Sequence, residues 1–307
     1  MPFDELSKTC GTDLTIARAV RTPMKTKRHL VTSATLCVVV FAVTIVAAEN
    51  QAVTRPEPAA TKAPATQAAV EPEARDILVR MAEFLAKTPR FSVNIRSNYD
   101  VRQESGQMIE FGETRSITLS RPNGLRVEVE QSDGDKQLVL YDGKLITAFS
   151  SSQNVYAQVS KPGDIDSAVI YFVKDLHMRL PLAGIVLSRF PVEIERRTRS
   201  LDYVERTVMD GRPAHHLAGR TATVDYQFWI AEGPQPLLLR AVLTYKNAEG
   251  DPQFRAQLSD WNLAPEIRDT EFVFTPSQGV RKIAFAAQLP QTASDKTTEA
   301  EKTGAQK

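Results

Sequence analysis

From Phe91 onward the chain alternates apolar and polar residues, and this period of two constrains the fold more than any other feature. Phe91, Val93, Ile95, Tyr99 and Val101 alternate with Ser92, Asn94, Arg96, Asn98 and Asp100. Successive strand side chains point to opposite faces, so such a run reads as a half-buried strand. Leu125, Val127 and Val129 repeat the pattern against Arg126, Glu128 and Glu130. Val224, Tyr226, Phe228 and Ile230 do so again, as do Leu237, Leu239, Leu243 and Tyr245. Asp133-Gly134, Asp142-Gly143, Asp210-Gly211 and Glu249-Gly250 punctuate these runs. Such pairs supply the positive φ that tight hairpins need, which makes neighbouring strands antiparallel. Roughly ten strands at this short spacing predict a mainly β domain, a sandwich or a barrel.

Helical spacing appears in two places. Ile77, Met81, Phe84 and Leu85 share one face between Glu73 and Lys87, and Pro89 stops that helix. The second place interrupts the strands. Ile165, Ala168, Val169, Phe172, Val173 and Leu176 lie between Asp164 and His177, and Leu182 to Leu187 follows Pro181. Both read as short apolar helices inserted between sheet halves. They would plug a barrel end, cover an edge strand, or form a lid over a cavity; the residues alone favour the plug.

The N-terminus is of a different kind. Lys25, Lys27 and Arg28 precede an apolar run from Leu30 to Val46, followed by Ala47-Ala48. A basic segment, an apolar segment and small residues together make a secretory signal. The alternative is an uncleaved inner-membrane anchor, since the run is close to the lower limit of about 17 residues for a spanning helix. Met24, directly before the basic cluster, is the expected true start. Residues 1–48 are therefore expected to be a signal or anchor, and the working place periplasmic. Without them the chain carries 32 Lys and Arg against 34 Asp and Glu, a formal charge of −2 rather than +1. Such a chain has no basic field for nucleic acid. Cys10 and Cys37 leave with the same segment, and with them any disulfide, thiol nucleophile or thiolate metal site.

Residues 49–72 contain seven Ala, four Pro and three Thr and are expected to form a linker. Residues 73–285 hold the β domain, and 286–307 read as a disordered tail.

Few residues offer chemistry. His215 and His216 are adjacent on a strand and so point to opposite faces, while His177 stands on a separate helix. A zinc site needs three or four convergent ligands, so one packed and one solvated histidine is the expectation. No nucleophile elbow, phosphate loop, dinucleotide glycine pattern or His-Glu-x-x-His helix is present. No catalytic residue, metal or cofactor is therefore expected. The carboxylates fall mostly in turns and on polar strand faces, where solvation accounts for them. Trp229 is out of phase with Phe228 and Ile230, and for it and Trp261 a packed or edge-shielding role is expected rather than ligand stacking. Arg121-Pro122-Asn123-Gly124 makes a turn into the strand at Leu125. There the Arg121 guanidinium either reaches loop carbonyls or a carboxylate, or is simply solvated.

These residues, taken in order, resemble the LolA-like superfamily of periplasmic lipoprotein carriers. The resemblance rests on a helix and a long first strand, then Arg121-Pro122-Asn123-Gly124-Leu125-Arg126. Tyr141-Asp142-Gly143-Lys144-Leu145, Asn154-Val155-Tyr156 and the closing Phe272-Val273-Phe274-Thr275-Pro276-Ser277-Gln278-Gly279-Val280 follow. The match runs from about Glu73 to Val280, and is nearest a group of predicted periplasmic proteins without an assigned function. It implies a strongly curved, half-open antiparallel barrel, with the N-terminal helix and the inserted helices closing over an apolar cavity. That cavity would hold a lipid or acylated ligand, lined by Val93, Ile95, Leu125, Val127, Val129 and Phe172. Arg121 matches the arginine with which the carriers hold a lid, here the segment from Ile170 to Leu187. The expected function is a non-enzymatic periplasmic binding protein for such a ligand. The alternative is an envelope sensory or protein-interaction module, tethered to the inner membrane if the N-terminal segment is retained. A hydrolase would require His215 or His216 in a pocket beside a carboxylate and a serine.

Overall fold

The expected first helix is α1, Pro72–Lys87, in a computed structural model that describes residues 69–178 and 180–288. Proline at its first turn gives up an N–H that has no helical partner there anyway. Thr88 caps the other end, its N–H bonded to Phe84 O, and the chain turns at Pro89. One face of α1, from Ala74 through Ile77, Leu78, Met81 and Ala82 to Leu85, is no more than 3% exposed.

Twelve strands follow, interrupted once. The first group is β1 (Arg90–Arg102), β2 (Met108–Ser120), β3 (Gly124–Gln131), β4 (Lys136–Tyr141), β5 (Leu145–Ser150) and β6 (Val155–Ser160). An insert then carries α2 (Ile165–Lys174), a 3-10 turn at Ala183–Val186, and α3 (Phe190–Arg197). The second group is β7 (Ser200–Met209), β8 (Arg212–Arg220), β9 (Val224–Ala231), β10 (Leu238–Tyr245), β11 (Gln253–Asn262) and β12 (Arg281–Ile283). All belong to one sheet in the order β12-β6-β5-β4-β3-β2-β1-β11-β10-β9-β8-β7. The order is linear and never closes, so the curved sheet is a half-open barrel. The helices pack on its concave side, where both strand groups contribute to one apolar core.

Register fixes which side chains meet. Val93 pairs with Ile117, Ile117 with Val127, and Val127 with Val139, which sets four inward residues in a row across β1 to β4. The turns work as their composition requires. Asp210 and Gly211 have φ of 49° and 77°, both positive, as a two-residue hairpin demands. Asp142 accepts the N–H groups of Lys144 (2.9 Å) and Leu145 (2.7 Å), closing the turn into β5.

The closing motif straps the outside of the sheet. The Phe272 ring lies where a Cβ on Gly124 would stand, 2.6 Å from its nearest atom, so glycine is required there by close approach. Phe274 packs between Phe149 (5.4 Å) and Tyr156 (5.1 Å), and Asn154 donates to Gly279 O at 3.0 Å.

Four features depart from the sequence expectation. Among the described residues there are twelve strands rather than roughly ten. Two contacts are parallel: β12 with β6, and a single bridge from Val70 to Leu201. α3 was not anticipated, although Pro191 at its start and Glu193 spaced to Arg196 and Arg197 mark a helix. The expected linker and tail are trimmed as well. Residues 69–72 join the fold through the Val70 bridge and the start of α1, and Ala286–Gln288 form a 3-10 turn. The signal or anchor, Met24 and the rest of the linker and tail lie outside the described residues.

Candidate functional site

The concave face gathers the residues expected to line a cavity. Val93 and Ile95 of β1, Leu125, Val127 and Val129 of β3, and Phe172 of α2 are each at most 5% exposed and belong to one apolar cluster. Alternation puts the strand residues on one face; the helical repeat of α2 turns Ile165, Ala168, Val169 and Phe172 toward them. Burying a side chain of this size is worth about 1.5–3 kcal/mol, so this face dominates the stability of the domain.

The insert is also held by polar bonds. Arg121 donates from Nε to Thr88 O (3.1 Å), from Nη2 to Leu85 O (3.3 Å) and from Nη1 to Val186 O (3.0 Å). Thr88 and Leu85 sit at the negative end of the α1 dipole, where a cation is favoured. Burial lowers the Arg121 pKa and the nearby Asp166 charge raises it again; the guanidinium stays protonated. One arginine therefore ties the end of α1 to the 3-10 turn of the insert. It reaches carbonyls, as one of the sequence readings foresaw.

Asp166 makes the second fastening, and sequence reasoning missed it. It is buried in the first turn of α2. Its carboxylate accepts the Ser188 N–H (2.8 Å), the Ser188 hydroxyl (2.9 Å) and the Arg189 N–H (3.3 Å), just where α3 begins. Two residues earlier, Asp164 caps α2 by accepting the Ser167 N–H at 2.8 Å. That bond is the main cause holding the Asp164 carboxyl below its usual pKa.

The histidines diverge as their adjacency requires. His215 pairs with the inward Ile230, and His216 with the outward Trp229. Neither is free in solvent, contrary to the packed-and-solvated expectation. His215 Nδ1 shares a hydrogen bond with Tyr203 Oη (3.1 Å), while the His216 ring stacks on Trp229 at 4.0 Å and Nε2 bonds to Gln227 (3.1 Å). Their bonding partners lie on β7 and β9, which only the strand order brings beside β8. Trp261 is packed against Phe91, its indole N–H donating to Leu238 O at 3.0 Å. His215 also lines a pocket of about 490 Å³ at the N-terminal end of α1, with Glu73, Arg80, Tyr203, Arg206 and Glu232. Arg206 is paired to Glu232, and no serine lines the pocket, so the hydrolase constellation is not assembled there. No cluster of three metal-ligating residues occurs among the described residues.

Residues 74–286 match the family DUF2092, described as predicted periplasmic protein. The chain belongs to that family. No curated protein matches this DUF2092 chain. Among solved structures it is similar to the lipoprotein LppX of Mycobacterium tuberculosis, at 14% identity and a TM-score of 0.42, over 64% of this chain and 100% of that one. LprF of Mycobacterium bovis is similar at 14% identity and a TM-score of 0.41, over 65% and 97%. MucB, in the Pseudomonas aeruginosa MucA/MucB complex, is similar at 19% identity and a TM-score of 0.36, over 66% and 61%.

Proposed function

We propose that this DUF2092 protein is a non-enzymatic periplasmic binding protein for a lipid or acylated ligand, with the concave face as its site. One observation carries the reading. The apolar inward rows of β1 to β5 are roofed by an insert whose ends are fastened through the separable polar bonds of Arg121 and Asp166. Each acyl CH₂ taken from water is worth about 0.8 kcal/mol, so chains crossing an aqueous compartment need such a dry surface. In this reading Arg121 is the latch and the segment from Ile170 to Leu187 the lid. The signal or anchor at 1–48 delivers the domain, and the linker sets its distance from the membrane. Val93, Ile95, Leu125, Val127, Val129 and Phe172 line the site.

Native mass spectrometry of the protein purified from its own periplasm tests this. An adduct of lipid mass is expected. No adduct, together with no uptake of a fluorescent fatty acid, would refute it.

A protein-interaction role is the second reading, and a different surface favours it. Met108, Ile109 and Phe111 form an exposed apolar stretch at the start of β2. Copurification of a membrane protein that is lost in Phe111→Ser would support that role over the first.

A further inference from the structure

The concave face is not apolar along its whole length. On β2 the inward positions read Leu119, Ile117, Arg115, Glu113, and the last two are charged yet only 5% and 6% exposed. β1 changes in the same place, from Val93 and Ile95 to Ser97; β3 passes from Val129 to Gln131, opposite Glu113, and Asp135 and Gln137 follow across the turn into β4. Ser150 continues the line on β5, opposite Gln137. A polar belt thus crosses five strands over two neighbouring rows, with the apolar Val129 between Arg115 and Gln137. Beyond it, at the rim, Phe111 is exposed and stacks with Tyr99 at 6.1 Å.

The belt is bonded within itself, but not completely. Glu113 Oε1 is ion-paired with Arg115 Nη2 (2.5 Å) and accepts from Ser97 Oγ (3.1 Å). Gln137 donates to Asp135 Oδ2 at 3.2 Å. Two of its buried atoms, the donor Arg115 Nε and the acceptor Asp135 Oδ1, are among those with no hydrogen-bond partner. A buried polar atom left without a partner costs free energy, and both lie on the face that would take the ligand.

Resting on the lipid-binding reading above, we infer that this belt reads the head of the ligand, and that the head is uncharged and hydroxylated. The ligand class is an acyl ester of a polyol. One hydroxyl of the head accepts the Arg115 Nε–H through its oxygen, and a second hydroxyl donates to Asp135 Oδ1. The acyl chain runs from there along Ile95, Ile117 and Val127. Two carboxylates face one guanidinium in the belt, so an anionic head is repelled where a neutral one is not.

The test is displacement of the neutral dye N-phenyl-1-naphthylamine from the full exported chain by monopalmitoylglycerol, methyl palmitate or palmitate. Monopalmitoylglycerol is expected to bind about tenfold more tightly than the other two, the worth of one or two hydrogen bonds. E113L/R115M replaces the buried pair by apolar groups of similar size, a change that usually preserves folding. Its preference is expected to fall to about twofold with methyl palmitate binding unchanged. Asp135→Ala, which leaves the pair intact, is expected to lower the preference about threefold. A full preference retained in either folded variant overturns the inference. Equal binding of all three probes overturns it too, while leaving the apolar site standing. No displacement by any of them removes both.

Discussion

α1 and the insert lie on the same face of one sheet but are held there in different ways. α1 is attached mainly by its apolar side chains; its N-terminus has no side-chain cap, and polar bonds reach it at its C-terminal end, from Arg121 to Leu85 O and Thr88 O, and on its exposed face, where Arg75 pairs with Glu195. The insert also buries apolar residues, but its path is set by three side chains. Asp164 starts α2, Asp166 fixes the approach to α3, and Arg121 holds the 3-10 turn between them. The insert also contains Leu182 with φ of 59° and His177 with φ of 54°, a backbone that L-residues adopt only where their surroundings insist. An element held by apolar contact is lost gradually and globally. One held by a few polar bonds can be released at a point.

That contrast is open to breakage by substitution. The largest effect is expected from Met81→Ala, which opens a cavity under α1 and should cost about 2–5 kcal/mol of global stability. Urea unfolding checks it, with the midpoint lowered and the slope unchanged. Asp166→Ala comes next, at about 2–3 kcal/mol, because the Ser188 and Arg189 amides lose a buried acceptor. Hydrogen exchange should speed up over 183–190 and leave α1 protected; equal acceleration in α1 would erase the distinction drawn here. Arg121→Leu should cost about 1–2 kcal/mol, loosen the 3-10 turn and speed ligand exchange with little loss of fold. Unchanged exchange would remove Arg121 from the lid.

The smallest effect sharpens the comparison through pH. Asp164→Ala should cost about 1 kcal/mol as a lost N-cap. The folded carboxyl titrates below its ordinary 3.8, so its contribution is complete above that value and disappears as pH falls through the lower folded one. Wild type and variant should differ near neutrality and converge in acid. A difference that persists unchanged into strong acid would assign the effect to packing instead.

The fold was legible where one residue's neighbours decide its state. Alternation marked the strands, the Asp-Gly pairs marked the hairpins, and the spacing of Ile77, Met81 and Leu85 marked α1. What stayed hidden depends on partners far along the chain. β12 is three residues with no alternation to show, and is a strand only because β6 accepts it. Asp166 resembles any acid in a first helical turn until Ser188 arrives. Glu113 falls among the carboxylates that solvation accounts for and Arg115 is not singled out, yet both are in phase with Ile117 and Leu119. That phase was readable, and it was the one signal that β2 turns charge inward. Arg121 was the opposite case: its turn motif left loop carbonyls, a carboxylate or solvent open, the family resemblance pointed to a lid, and the fold supplied the carbonyls.

The sheet never closes, and without further chain its long border strands β6 and β7 would be open to unwanted pairing with another molecule. The polypeptide hems both. The stretch entering the domain lies against β7 through Ala69 O and the Glu71 N–H, each bonded to Leu201, and the stretch leaving it lies along β6 as β12. The barrel can therefore stay open without presenting raw borders to its neighbours, and trimming either stretch would expose a seam that invites fibre-like stacking.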